Sequence, residues 1–184
     1  NPMAIAAIEQ ADLVVIAPGD LYTSLGPLLV IEGIGDALRR TSATVAYVCN
    51  LVTKQGQTEG FTVSQHAEEI ERFAGGDILY AVLYNAQVPS KALLRRYEDE
   101  GAYLVEVDDS ALAKRSYRKV AGDFIGAMAQ HRASELALPV TRSLIRHNAA
   151  AVSESLVALA RLRRQRMERQ FTSGRHLRKI DKKA

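Results

Sequence analysis

At 184 residues the chain is long enough to bury one good core and too short for two full-sized domains. Hydrophobic residues make up 47% and charged residues 24%, an ordinary globular balance that excludes a fibrous or wholly disordered chain. A single cysteine, Cys49, excludes an internal disulfide framework and fits a reducing compartment, and no apolar run approaches the ~18 residues of a membrane span. The net charge of +3 hides an asymmetry. Ten Lys/Arg from Arg161 onward face only Glu168 and Asp181, a local balance of +8, which leaves residues 1–160 at −5. This is an acidic body with a basic end, not a uniformly basic protein.

The chain opens on Asn1-Pro2 in what reads as a helix over Met3–Gln10, with no basic-then-apolar leader, so a fragment lacking upstream sequence is expected. Asp12–Pro18 is a continuous apolar run of strand length, ended by Pro18-Gly19. Thr44–Cys49, Ile78–Tyr84 and Ala102–Val107 have the same character, as strands covered on both faces do. Helical patterns separate them over Gly33–Arg40, Ser64–Phe73 and Ser90–Glu100. The alternation predicts an α/β fold: a Rossmann-like, three-layer, mostly parallel sheet with helices on both faces. Beyond Asp109, Ser110–Ala133 reads as helical, Val140–Ile145 as short and β-prone, and Ala149 to about Gln170 as a long helix, with the chain fraying past Phe171. The expected organisation is a Rossmann-like portion over 1–110, a helical C-terminal part of the same domain over 111–170 and a basic flexible tail over 171–184.

Ligands of parallel sheets bind at the carboxyl ends of the strands, which directs attention to three polar turns. In the first, Gly19 permits a sharp turn, and Asp20, Thr23 and Ser24 stand where the next helix begins, either to receive a phosphate or simply to cap that helix. The second, Asn50–Ser64, exceeds the usual strand-to-helix loop. There the Asn50 amide at the strand tip could read a base, a sugar hydroxyl or a backbone group, Thr53, Gln57 and Thr58 could line a polar wall, and Gly56 and Gly60 permit tight turns. The third begins at Asn85. Asp108-Asp109 could hold a divalent ion or cap the next helix. His66 reads as a surface residue near a helix start, and His147 as a ligand contact or a helix-entry hydrogen bond. No zinc-type spacing exists. The arginines of the last helix could bind polyanions, but with Phe171 as their sole aromatic neighbour a solvated face, or one docked on an acidic body in the same or a neighbouring chain, is the default and nucleic acid is not the expected partner.

Pro18-Gly19-Asp20-Leu21-Tyr22-Thr23-Ser24, followed at the matching spacing by Tyr47-Val48-Cys49-Asn50-Leu51-Val52-Thr53-Lys54-Gln55-Gly56-Gln57-Thr58-Glu59-Gly60-Phe61-Thr62, resembles the gluconeogenesis-factor family. Ala86-Gln87-Val88-Pro89 after Asn85 fits as well, and Arg146-His147-Asn148 is similar to the family's late Arg-His-Asp. The resemblance runs to about residue 160. It implies a Rossmann-like fold, a cytoplasmic location, a nucleotide or nucleotide-sugar ligand of the UDP-N-acetylglucosamine kind, and a regulatory role in gluconeogenic growth and cell shape. It adds Tyr22 and Asn85 to the ligand-binding set Gly19, Asp20, Thr23, Ser24, Asn50, Thr53, Gln57, Thr58 and Gly60. The same superfamily holds the phospholactate transferase of deazaflavin-coenzyme biosynthesis, whose chemistry is the alternative expectation. That reaction would draw on Mg²⁺ with a nucleotide diphosphate, for which Asp20 and Asp108 are the candidate ligands. Ala17, Asp20, Gln57 and Glu59 depart from the family's usual residues, and its glycine-rich N-terminal half has no counterpart in this sequence. No catalytic residue is nominated. A homo-oligomer is compatible with everything above.

Overall fold

A computed structural model of the chain describes residues 1–91, 94, 95, 101–126 and 146–180, and of residues 167 and 170–180 the backbone alone. Helix α1 (Pro2–Gln10) feeds strand β1 (Leu13–Ile16). The chain then makes a π-helical turn (Leu21–Leu25) that runs into α2 (Gly26–Leu29), followed by α3 (Ile34–Arg40) and β2 (Thr44–Val48). Next come α4 (Val63–Ala74), β3 (Ala81–Asn85), the single-turn α5 (Asp109–Leu112), β4 (Arg118–Gly122) and the long α6 (Ala149–Ile180). The strands form one sheet in the order β1-β2-β3-β4, every pair parallel.

Side chains alternate across a strand, so each strand serves two cores. Val45, Tyr47 and Cys49 join Ile16, Val82 and Tyr84 on one face, under Leu38 of α3 and Val63, Ala67 and Ile70 of α4. Ala46 and Val48 join Ala81 and Leu83 on the other, under Leu156 and Leu159 of α6. All five residues of β2 are buried. That double coverage is why the strands read as unbroken apolar runs, and it makes the three-layer α/β arrangement expected from the sequence.

The fourth strand is a correction. Ala102–Val107 is not in the sheet: it forms isolated bridges from Leu104 to Val52 and from Glu106 to Thr62. The segment instead satisfies the long loop's backbone, with Thr53 N donating to Tyr103 O (2.7 Å), Val105 N to Leu51 O (3.1 Å) and Val63 N to Glu106 O (2.9 Å). The true β4 lies within the stretch read as helical. Tyr117, Val120 and Phe124 fall at spacings of three and four that imitate a helix, yet β4 is an outer strand, where exposed Arg118 and Lys119 are expected. Of the helix expected over Ser110–Ala133 only the turn ending at Leu112 is helical, residues 113–126 are not, and residues 127–133 lie outside the described residues, as do most of Ser90–Glu100 and all of Val140–Ile145. Helix α6 does not end near Gln170 but continues to Ile180. No helix among the described residues is long and apolar enough to cross a membrane.

Candidate functional site

Two cavities open side by side along the carboxyl edge of the sheet, sharing Asn50 and Leu51 at the tip of β2. The first, of about 260 Å³, lies between Pro18–Asp20 after β1, Asn50–Lys54 after β2, and His147 at the entry to α6. The second, of about 320 Å³, lies between Tyr84–Val88 after β3 and Leu104–Val107. The turns after three adjacent strands therefore meet at one place, as parallel-sheet topology requires of a ligand crevice.

Asn50 stands between the two. Its Nδ2 donates to Gly19 O at 2.9 Å, and its Oδ1 accepts from Gly19 N at 3.3 Å. Of the groups it could have read, the amide takes the backbone, and it fixes the turn after β1 against the tip of β2. Asn85 does the same one strand along, accepting from Phe124 N (3.2 Å) and donating to Gln87 O (2.6 Å). Opposite Gly19, the Lys54 ammonium lies 3.7 Å from an Asp20 carboxylate oxygen, which also accepts from Thr23 Oγ1 at 3.5 Å. The aspartate that stands beside the expected phosphate position thus has a cation facing it. His147 Nε2 lies 3.1 Å from the Cys49 carbonyl oxygen. Burial pulls its imidazole below the usual range, more than the carbonyl pulls it up, so the ring is neutral at pH 7. Cys49 itself is buried, and burial pushes its thiol up to about 12, which makes it inert as a nucleophile.

The long loop holds itself in shape. Thr53 and Thr58 are buried: Thr53 Oγ1 accepts from Tyr103 N at 3.1 Å, and Thr58 Oγ1 from Lys54 N at 2.9 Å. Gly56, at φ +74°, lets its N–H reach Glu59 Oε1 at 2.8 Å. Thr53 lines the first cavity from the side, whereas Gln57, Thr58 and Gly60 line neither. Tyr22, Thr23 and Ser24 also lie off both cavities. Tyr22 packs edge-on against Phe73 of α4, centroids 5.8 Å apart. The structure thus brings Gly19, Asp20, Asn50, Thr53 and Asn85 to the crevice and spends the remaining candidates on the loop and the π-helical turn.

Asp108 holds the N-cap position of α5, but its side chain turns to the start of α4 and makes no cap bond to α5. It accepts from Thr62 Oγ1 (2.8 Å), Ser64 N (3.1 Å) and Ser64 Oγ. Burial pushes its carboxyl up, but these bonds together outweigh that and hold it below the usual carboxylate range. Asp20 and Asp108 each have their own partners and form no common cage, and among the described residues no group of three His, Cys, Asp or Glu gathers. His66, read as a surface residue, is fully buried: its Nδ1 pairs with Thr62 O at 2.9 Å, one turn back in the capped first turn of α4. Lys54 was not singled out, although it is the only cation between Cys49 and Thr62, the signal that could have found it. Glu106 comes to the crevice through the segment expected as the fourth strand, and Gln87 through the third polar turn, where Asn85 alone was an expected site residue.

Residues 1–125 match the family described as 2-phospho-L-lactate transferase CofD. The chain belongs to the CofD family. Within it, the chain is 41% identical over 107 residues to a putative gluconeogenesis factor of Thermotoga maritima, covering 58% of this chain and 34% of that protein. It is 33% identical over 153 residues to the gluconeogenesis factor of Halalkalibacterium halodurans, covering 83% and 44%. A crystal structure of a UPF0052-family protein from Bacillus halodurans superimposes with a TM-score of 0.73 at 30% identity, over 85% of this chain and 46% of that one. The chain therefore spans less than half the length of these relatives, and the CofD-family match covers the stretch that builds the crevice from β1 to the turn after β4.

Proposed function

We propose that this CofD-family chain supplies part of a nucleotide-sugar site in a cytoplasmic regulatory protein of the gluconeogenesis-factor type, tied to carbon metabolism and cell shape. The observation that carries the reading is the pair of cavities joined at Asn50 and Leu51. Each is near the lower end of the ~300–1,000 Å³ of ligand pockets, and together they suit a ligand with two chemically distinct ends. The Gly19–Asp20 turn and Lys54 suit the diphosphate. The second cavity offers Asn85, Gln87 and Glu106 for the hydrogen bonds of a base or sugar, above apolar Leu104 and Val105. Any Mg²⁺ belongs in this reading with the ligand's diphosphate, since Asp108 is engaged by Thr62 and Ser64 and Asp20 faces Lys54. Binding is favoured over chemistry because the one thiol is buried and protonated and His147, the one histidine among the described residues that lines the crevice, is engaged with a carbonyl. Calorimetry of the whole protein with UDP-N-acetylglucosamine tests the reading: saturable heat that weakens in Lys54→Gln supports it, and silence at millimolar ligand ends it.

The family match favours one alternative, transfer of a phospholactyl group from a nucleotide donor to a deazaflavin acceptor. The same crevice would hold the donor's diphosphate, stabilised electrostatically. Turnover of a deazaflavin by the whole protein with Mg²⁺ and donor supports this alternative, and its absence leaves the binding role.

A further inference from the structure

A third cavity lies at the opposite end of the sheet, where strands begin and where the rule for parallel sheets expects no ligand. At about 390 Å³ it is larger than either cavity of the crevice. Its walls are Asp12 and Ser42, before β1 and β2, and Arg161, Arg163, Arg164 and Glu168 of α6. We propose that this groove is a second ligand site, for a small phosphorylated molecule that also carries hydroxyl or amino donors.

The arginines are arranged for an anion. Arg163 is already fixed: its Nη1 donates to Ala43 O at 2.6 Å, and its guanidinium lies 4.8 Å from the Tyr80 ring centroid. A guanidinium held this way keeps other N–H donors in a fixed fork, so little side-chain entropy remains to be lost on binding. Arg161 and Arg164 stand three residues apart on one helix face, where like charges repel. Glu168 answers Arg164 at 3.3 Å, whereas Arg161 has no ion pair among the described residues. Three guanidinium groups line this groove, against one lysine at the crevice. An anion between Arg161 and Arg164 relieves that repulsion, and the preset fork of Arg163 lines the same groove. Asp12, on the facing wall, then selects for a ligand that brings donors with its phosphate, and it disfavours a bare polyanion.

Amide chemical-shift titration of the whole chain at low ionic strength tests this, with inorganic phosphate and glycerol 3-phosphate as probes. Saturable shifts are expected at Asp12, Ser42 and the Arg161–Arg164 turn, with glycerol 3-phosphate binding more tightly than phosphate. The exposed double change Arg161→Gln with Arg164→Gln should weaken it at least about tenfold, the loss that one charge-assisted hydrogen bond alone would bring. Asp12→Asn should erase the preference for glycerol 3-phosphate. Shifts confined to Gly19, Asn50 and Lys54 would overturn the proposal. So would heparin binding lost with the arginines while Asp12 and Ser42 never move, which would make α6 a diffuse polyanion surface. This site stands or falls independently of the nucleotide reading.

Discussion

Asn50 and Gly19, thirty-one residues apart, are joined by a two-way amide bond: one side chain both donates to and accepts from one backbone unit. The pair couples the turn after β1 to the tip of β2, and both residues line the first cavity. Asn50→Ala leaves the Gly19 N–H and carbonyl without these partners at a half-buried site, so a loss of about 1–3 kcal/mol is expected. Asn50→Asp should be no milder, because it sets a carboxylate oxygen against the Gly19 carbonyl. Urea midpoints of the two variants check this, and a stability equal to the parent would show that the clamp is idle.

Lys54 and Asp20 form a half-exposed pair across the cavity mouth, and such pairs contribute about 0–1 kcal/mol to stability. Their weight should fall on binding. Asp20 competes with any ligand phosphate for the ammonium, so Asp20→Asn should tighten an anionic nucleotide by up to about fivefold, while Lys54→Gln loosens it by a similar factor. Both effects should shrink as salt rises. If Asp20 instead held a metal for the ligand, its removal would weaken binding, and the sign of the change in a calorimetric titration separates the two roles.

Much of this was legible in the chain. β1, β2 and β3 are unbroken apolar runs because both their faces are covered, and the turns at Gly19, Asn50 and Asn85 follow from them. Two things were not. Arg118–Gly122 is an outer strand whose exposed Arg118 and Lys119 break the apolar run, while Tyr117, Val120 and Phe124 mimic a helix; only pairing with β3 decides between the periods. Which hydroxyls of the long loop face a ligand was equally hidden. Thr53 and Thr58 look alike by composition, yet Thr58 lines neither cavity and holds the Lys54 backbone, while Thr53 lines the first and also accepts from the Tyr103 N–H. Lys54 was passed over because a lone loop lysine is ordinarily solvent-facing.

Gly35 shows a constraint of packing. A Cβ there would press on the Ala74 carbonyl at the end of α4, its carbon lying only 3.0 Å away. The Arg39 guanidinium also donates to that carbonyl, and a Cβ at Gly35 and the Ala74 carbonyl are both fixed to the backbone, so the contact cannot relax by a side-chain rotation. Gly35→Ala gains about 1 kcal/mol of helix propensity within α3 but overpacks the junction, and a net loss of about 1–3 kcal/mol is expected. Thermal melting decides it. An unchanged or raised midpoint would mean that α3 and α4 slide apart freely.

Among the described residues, the buried His66 and the half-buried His147 set the acid limb of stability. Burial lowers both His66 and His147, only partly offset by the Thr62 and Cys49 carbonyls. The unfolded chain, with imidazoles near the usual ~6.5, therefore takes up protons first as the pH falls. Their contribution is complete above that value and is lost as the pH drops through the lower folded values. Asp108, held below the usual carboxylate range, adds a separate loss only further down, beneath about pH 4. Denaturant unfolding at pH 7.5, 6.5 and 5.5 should show stability falling across the two lower steps. His66→Leu with His147→Asn should flatten that fall while leaving the steeper decline below pH 4. An unaltered slope in the double variant would place the proton uptake on other groups.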